Sequence, residues 1–330
     1  MKIQRELEIE EVSVSANSVL DRFQGKDAPV QRTLFEVFRE HNDKCVQLSG
    51  TDMAPATVQR YETSLKHTRD FVWETYHKKD VLLDEVSRQF IEDYEFWLKT
   101  EKKCCHNTAT KYLKNFKKIT RIALAKGWMK NDPFLEIRFS LDKVEPDFLE
   151  DSEIQKLISK EIDIPRLSQV RDIFVFCCFT GLAFSDIHGL RKEHIVEDSN
   201  GVRWIRKGRQ KTKIMCNIPL IEIPLKILEK YSTNEYCKKH GVLFPVLCNQ
   251  KMNAYLKELA DICGIKKTLT THVGRHTFAT FALANGVSIE SVAKMLGHTN
   301  VQMTRHYARV LDRTVIREMS QIKMDLHFSM

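Results

Sequence analysis

Glycine and proline are scarce in this chain, at 12 and 8 of 330 residues. That is too few for the many turns of a β-sandwich, and it excludes a low-complexity or collagen-like protein. No apolar run reaches the eighteen residues that a membrane helix needs. The opening stretch from Met1 to Glu11 is too acidic and polar for a signal peptide. None of the nine cysteines stands in a C-x-x-C pair, so the spacing of a zinc ribbon or a redox dithiol is missing. An odd number of unpaired thiols predicts reduced cysteines in a cytoplasmic protein. Acidic residues are absent from residues 102–130, although the chain carries 44 of them.

The composition is otherwise that of a globular chain, with 42% hydrophobic and 29% charged residues. The length predicts two domains. A net charge of +8 favours a polyanionic partner only if the basic groups cluster.

Residues 1–32 are polar and slightly acidic, and helical periodicity begins at Thr33. Leu34, Phe35 and Phe38 suit one helix. Val58, Tyr61, Leu65, Phe71, Val72 and Tyr76 recur at helical spacing behind the start signal Ala54-Pro55-Ala56-Thr57. A third helix is expected from Asp84 to Thr100, with Phe90, Ile91, Tyr94, Trp97 and Leu98 inward. A fourth follows Asn107 as N-cap, with Ala109, Leu113, Phe116, Ile119 and Ala123 inward and Gly127 as its stop. On its other face Lys111, Lys114, Lys118 and Arg121 recur at three, four and three residues, which puts them on one stripe. Such a stripe is either a solvated helix face or a row of phosphate contacts, which position a protein on a duplex without reading sequence.

Residues 132–150 carry Pro133 and Pro146 with little periodicity between them, as expected of a linker. Asp151-Ser152-Glu153 then opens a helix, and Val170 to Phe179 forms an apolar helix stopped by Gly181. Val202 to Ile205 and Ile214 to Leu220 read as the strands of a small β-hairpin joined by a basic connection. Helices resume at Pro224.

Two constellations follow. His272 and His276, within Thr271-His272-Val273-Gly274-Arg275-His276-Thr277-Phe278-Ala279-Thr280, stand at the i, i+4 spacing that can bind zinc. The metalloprotease form needs Glu after the first His, and here that residue is Val273. No metal site is therefore expected. About twenty residues later come Leu296-Gly297-His298-Thr299-Asn300 and Arg305-His306-Tyr307-Ala308-Arg309. Alone, the stretch from Ser288 to Tyr307 also reads as a helix-turn-helix, with Gly297 as helix stop and Asn300 as the next cap.

Taken together, His272-x-x-Arg275-His276, Leu296-Gly297-His298 and Tyr307 nine residues on strongly resemble the tyrosine recombinase (phage integrase) family. Phe179-Thr180-Gly181-Leu182-Ala183-Phe184-Ser185-Asp186 looks like that family's first arginine motif, and the details around Ala183 and Arg209-Gln210-Lys211-Thr212 look most like integrases of Bacteroides conjugative and mobilizable elements. The resemblance implies a mostly α protein: a four-helix, SAM-like core-binding domain at residues 33–131 and a mostly helical catalytic domain at 151–318 with a small antiparallel sheet.

It also implies a reaction: site-specific cleavage and rejoining of double-stranded DNA through a 3′-phosphotyrosine, with no cofactor. Tyr307 would be the nucleophile and Arg275 the phosphate clamp. His272 and His298 would bond the phosphate or relay protons, and Lys211 would protonate the leaving 5′ oxygen. A free tyrosine titrates near pH 10, so Tyr307 needs basic or hydrogen-bonding neighbours. One position departs from the pattern: the family's arginine after Thr-Gly-Leu is here Ala183. Arg209 is the candidate replacement. If its segment is extended, Arg209 and Lys211 point to the same face of the sheet; otherwise Arg209 contacts only backbone phosphate or solvent.

The resemblance further implies two domains closing on DNA, a homotetramer on DNA and exchange through a Holliday junction. A DNA-bending host factor or an excision factor is a partner it leaves open. Related integrases often carry a further amino-terminal domain for arm-type sites; residues 1–32 read as at most its remnant, so binding to distant arm sites is not expected. Val315, Ile316, Met319, Ile322 and Leu326 predict a tail helix, with residues 319–330 docking on a neighbouring protomer or packing on their own domain. The rival functions are a DNA-binding protein of the same fold that no longer cuts, and a type IB topoisomerase, which cuts without sequence choice.

Overall fold

The structure, a computed structural model, describes residues 32–308, with Ala308 by its backbone alone. The expected amino-terminal segment and the tail helix therefore lie almost entirely outside the described residues. The chain divides into two units, with the boundary after Val144.

Among the described residues the first unit holds four α-helices: α1 (Leu34–Gln47), α2 (Pro55–Tyr76), α3 (Arg88–Thr100) and α4 (His106–Ala125). The Glu36 carboxylate accepts the Thr33 N–H at the start of α1. Pro55 opens α2, where its missing N–H costs nothing. The Ser87 hydroxyl accepts the Phe90 N–H and caps α3. Asn107 does not cap α4, which begins one residue earlier behind Cys105. Its side chain instead ties down the loop that follows, donating to the Asp142 carbonyl at 2.9 Å and accepting the Asp142 N–H at 2.8 Å.

The apolar stripes meet in an aromatic core in which Phe38, Phe71, Tyr94, Phe116 and Phe134 are essentially inaccessible. Edge-on and offset ring pairs run through it, each worth about 0.5–1.5 kcal/mol beyond area burial. Polar tips on its margin find partners: Trp97 Nε1 donates to Glu74 and Tyr76 Oη to Asp93. Phe134 and the packed Ile137 and Phe139 belong to this core, so the chain clings to the first unit well into the stretch read as a linker.

The second unit is built around α6 (Pro165–Thr180), whose residues from Ile173 to Thr180 are buried on every face. Short α5 (Asp151–Ser159) precedes it, and α7 (Phe184–His188) follows the turn at Gly181. An antiparallel sheet of order β1-β2-β3 comes next: β1 (Ile195–Glu197), β2 (Arg203–Gly208) and β3 (Met215–Pro219). Ile205 faces Ile195 on one side and Ile218 on the other, so one face of the sheet meets the core. The pattern missed β1, because three residues are too few to reveal a period.

Helices α8 (Glu222–Tyr231), α9 (Glu235–His240) and α10 (Asn249–Ile262) lead to α11 (Thr271–Ala284), α12 (Ile289–Leu296) and α13 (Gln302–Ala308). Helix α11 lies against α6 at Gly274, where a Cβ would meet Phe174 and the Cys177 Cβ at 3.2 Å. That close approach explains glycine inside a helix. The Leu149 N–H donates to Thr277 Oγ1 at 2.9 Å, bolting the entry of this unit to α11. No helix among the described residues is long and apolar enough to cross a membrane.

Candidate active site

The recurring apolar positions of α11 bury that helix, and with them Arg275, which is only 3% exposed. A buried guanidinium needs acceptors. Two helix ends supply them. Helices α6 and α12 both stop at left-handed glycines, Gly181 (φ 68°) and Gly297 (φ 60°). Arg275 Nη1 donates to the Gly181 carbonyl at 2.7 Å and Nη2 to the Leu296 carbonyl at 2.6 Å. Carbonyls left unpaired at helix C-termini carry partial negative charge, so they suit a cation. Burial, followed by the charge of Arg209, lowers the Arg275 pKa to about 10, which leaves it charged at neutral pH.

His298 stands directly behind Gly297. Its Nε2 lies 3.1 Å from Arg275 Nη2, and its Nδ1 lies 2.8 Å from the Thr304 hydroxyl on α13. A guanidinium can only donate, so Nε2 accepts and the proton sits on Nδ1. Burial, then the charges of Arg275 and Arg209, pulls the His298 pKa down to about 4, which agrees with a neutral ring. Three of the five Arg275 N–H groups are thereby engaged, and two remain for a ligand.

Tyr307 lies on α13, only 5% exposed, among Phe278, Ala282, Val292 and Leu296. Its hydroxyl is 2.8 Å from His276 Nδ1. Burial raises the Tyr307 pKa, while the charges of Arg275 and Arg209 pull it back down. The zinc spacing of His272 and His276 thus has a different outcome. Their rings meet edge to face at 4.3 Å, and His276 is spent on Tyr307. Among the described residues no group of three or more His, Cys, Asp or Glu could hold a metal ion.

Arg209 follows β2 and its side chain is 12% exposed. Its Nε lies 3.6 Å from Asp186 Oδ2, too far for a hydrogen bond, and finds no other protein partner. Asp186 Oδ1 accepts the next backbone N–H, that of Gln210, at 2.9 Å. Gly297 completes the seat: a Cβ there would lie 2.7 Å from Arg209 Cδ and 2.7 Å from Cys216 Sγ. The Arg209 charge lowers the pKa of His272, Arg275, His298 and Tyr307 alike. Ala183, where the resemblance leads one to expect an arginine, only precedes α7 and makes no side-chain cap.

Lys211 is positioned differently from the sequence expectation. Residues 209–214 form a turn and not an extended strand, closed by Arg209 N–H to the Ile214 carbonyl and Lys213 N–H to the Arg209 carbonyl, with Lys213 at φ 60°. Lys211 is therefore exposed at the hairpin tip and shares no strand face with Arg209. Its charge depresses the nearby His272, after partial desolvation of that ring and the two arginines. Lys207, on β2, is tied to the Gly189 carbonyl at 2.8 Å and lies 3.3 Å from His194 Nε2.

In the first unit Lys111, Lys114, Lys118 and Arg121 are all exposed along α4. Lys118 Nζ bonds Tyr61 Oη at 3.0 Å, and Lys114 lies over the Phe139 ring. Lys117, which the stripe reading left out, lines the same open cavity of about 540 Å³ with Lys114, Lys118 and Arg121. The sequence reading also gave no role to His276, Asp186 or Thr304. Their partners lie 31, 23 and 6 residues away, so no local pattern exposes them.

The phage integrase SAM-like domain matches residues 33–141, and the phage integrase family matches residues 147–314. The chain belongs to the phage integrase family. A tyrosine recombinase of Pseudothermotoga lettingae is 29% identical over 265 residues, covering 78% of this chain and 88% of its own. The tyrosine recombinase XerD of Oceanobacillus iheyensis is 26% identical over 266 residues, covering 77% and 87%. Among solved structures, a lambda integrase dimer bound to a COC′ core site superposes with a TM-score of 0.66 at 17% identity, over 84% of this chain and 95% of that one. XerH recombinase bound to a palindromic difH substrate gives 0.67 at 14% identity, over 87% and 95%. At such identities the likeness is one of fold.

Proposed function

We propose that this chain is a site-specific recombinase that cuts and rejoins duplex DNA through a 3′-phosphotyrosyl link at Tyr307, for the integration or excision of a mobile element. The observation that carries the reading is a buried tyrosine hydroxyl that meets the His276 ring and lies within the field of two guanidinium groups, Arg209 and Arg275, the latter bonded to His298.

The Tyr307 oxygen attacks the scissile phosphorus, the P–O5′ bond breaks, and the DNA 3′ phosphate is left bonded to the tyrosine. Arg275, with two N–H groups free, and Arg209, with an unpartnered Nε, stabilise the charge that grows on the non-bridging oxygens. Each rigid donor of this kind is worth about 3–4 kcal/mol of barrier. Arg209 thereby takes the part that Ala183 cannot play. Lys211, free at the hairpin tip, donates the proton to the departing 5′ oxygen. His272, exposed beside it, bonds the phosphate. The phosphotyrosine conserves the energy of the broken bond, so attack by a 5′ hydroxyl reseals the strand without a metal or nucleotide.

The exposed row of Lys111, Lys114, Lys118 and Arg121 grips the DNA backbone from the first unit. Strand exchange between two duplexes needs four such sites, hence a homotetramer on DNA, acting in the cytoplasm at the nucleoid. The rival reading of a binder that no longer cuts rests on Ala183, and the seat built for Arg209 argues against it.

The test is covalent trapping on a pool of nicked duplexes. A protein–DNA adduct confined to one sequence supports the proposal. Adducts at many sequences would indicate a topoisomerase, and DNA binding without any adduct would indicate the impaired binder.

A further inference from the structure

We infer that His276, and not His272, is the base that takes the Tyr307 proton during cleavage and returns it during religation. The inference rests on the reading of Tyr307 as nucleophile.

Arg275 and Arg209 act on the Tyr307 hydroxyl through their charge, His306 lies ring against ring with Tyr307 at 4.2 Å, and His298, His272 and His276 complete the cluster. Arg275 and Arg209 are cations without a lone pair to offer. His298 has both ring nitrogens in use, Nε2 on Arg275 and Nδ1 on Thr304. His272 touches the His276 ring edge to face at 4.3 Å, and no hydrogen bond joins it to Tyr307. His276 meets the reacting oxygen directly, with Nδ1 2.8 Å from Oη. It sits next to Arg275 on α11, so the helix that fixes the phosphate clamp also fixes the base. At 9% exposure its ring is largely shielded from water that could compete for the proton.

The step balances as follows. The Oη–H bond breaks and its proton moves to His276 Nδ1, giving an imidazolium. The freed electron pair forms the O–P bond, and the P–O5′ pair leaves with the 5′ oxygen, which takes its proton from Lys211. In religation the 5′ hydroxyl gives its proton back to the Lys211 amine as its oxygen attacks the phosphorus, the P–Oη bond breaks, and the imidazolium returns its proton to the departing tyrosine oxygen.

The groups that face His276 are His272 and Arg275 on its own helix and His306 and Tyr307 on α13. Burial, then the charges of His272, His306 and Arg275, lowers its pKa to about 4.

The experiment uses the full chain in single-turnover adduct formation on the nicked-duplex pool, from pH 5.5 to 9.5, with H276N and Y307F beside the wild type. Asparagine offers an acceptor near the place of Nδ1 but takes no proton at these pH values. The expected result for H276N is a rate lowered about 100-fold or more at pH 7, with the deficit shrinking as pH rises and Tyr307 ionises unaided. DNA retention and melting temperature should stay those of the wild type. A rate within threefold of wild type at pH 7, or a loss constant across the pH range, overturns the inference. If H276N does not fold, H276A assayed with added imidazole decides: rescue supports the inference, and its absence overturns it. An adduct that persists in Y307F would sink the underlying reading instead.

Discussion

Asp186 pairs with Arg209 across 3.6 Å at its Nε, and its other carboxylate oxygen accepts the backbone N–H of the next residue, Gln210, at 2.9 Å. Asp186 is 2% exposed, and a carboxylate so deeply buried needs a cation. Ala183, where the sequence resemblance leads one to expect an arginine, stands just before helix α7, and three residues later Asp186 anchors an arginine that arrives from the hairpin.

Arg209→Ala should lower adduct formation about 100- to 1,000-fold, the usual effect of losing one transition-state donor. Arg209→Lys should recover little, because an ammonium cannot reproduce the guanidinium fork. The double change Ala183→Arg with Arg209→Ala returns a guanidinium to the helix and should regain part of the loss. Single-turnover trapping compares the four proteins, and wild-type cleavage by Arg209→Ala would remove Arg209 from the mechanism.

Asp186→Asn should loosen the same group without removing it. A misplacement of about 1 Å costs on the order of 100-fold in rate. Gly297→Ala should be worse: its φ of 60° disfavours any side chain, and the new Cβ collides with Arg209 and Cys216. In both variants DNA retention on a filter should fall far less than cleavage. Equal losses would mean that the seat serves binding and not chemistry.

The helices of this chain, and the cluster at α11 to α13, were legible because their signals are local. The inward positions of α4 recur every three or four residues, and His272, Arg275, His298 and Tyr307 sit in compact motifs. What escaped depends on contacts between distant parts of the chain. The zinc spacing of His272 and His276 is set aside by Val273 alone, and nothing near His276 reveals that its partner is a tyrosine 31 residues on. Asn107 has the composition of a cap, yet the loop at Asp142 claims its amide. The stretch after β2 alternates like a strand, but the bond from Lys213 N–H to the Arg209 carbonyl curls it into a turn.

Acid should destabilise the second unit. His276 and His298 have folded-state pKa values near 4, below the ordinary value near 6.5. Between those two pH values the unfolded chain binds more protons than the folded one, so stability falls as pH drops from about 6.5 to about 4. A series of melting temperatures should show this slope. The double variant H276N/H298N should flatten it, and an unchanged slope would mean that neither ring is held neutral.

The basic stripe makes a prediction about salt. Each phosphate contact contributes about −0.9 to the slope of log K against log salt on B-DNA. Replacing Lys111, Lys114, Lys118 and Arg121 by glutamine one at a time should reduce the slope by about one unit per contact. Cleavage at saturating protein should be unchanged. Slopes equal to wild type in all four would return the stripe to a merely solvated face.

The most direct measurement locates the covalent bond. Adduct from the wild-type chain is digested with nuclease and protease, and the modified peptide is sequenced by mass spectrometry. The account predicts a 3′-phosphoryl nucleotide on the Tyr307 hydroxyl, and no such peptide from Y307F. Modification of another residue, or an adduct that survives Y307F, would contradict it.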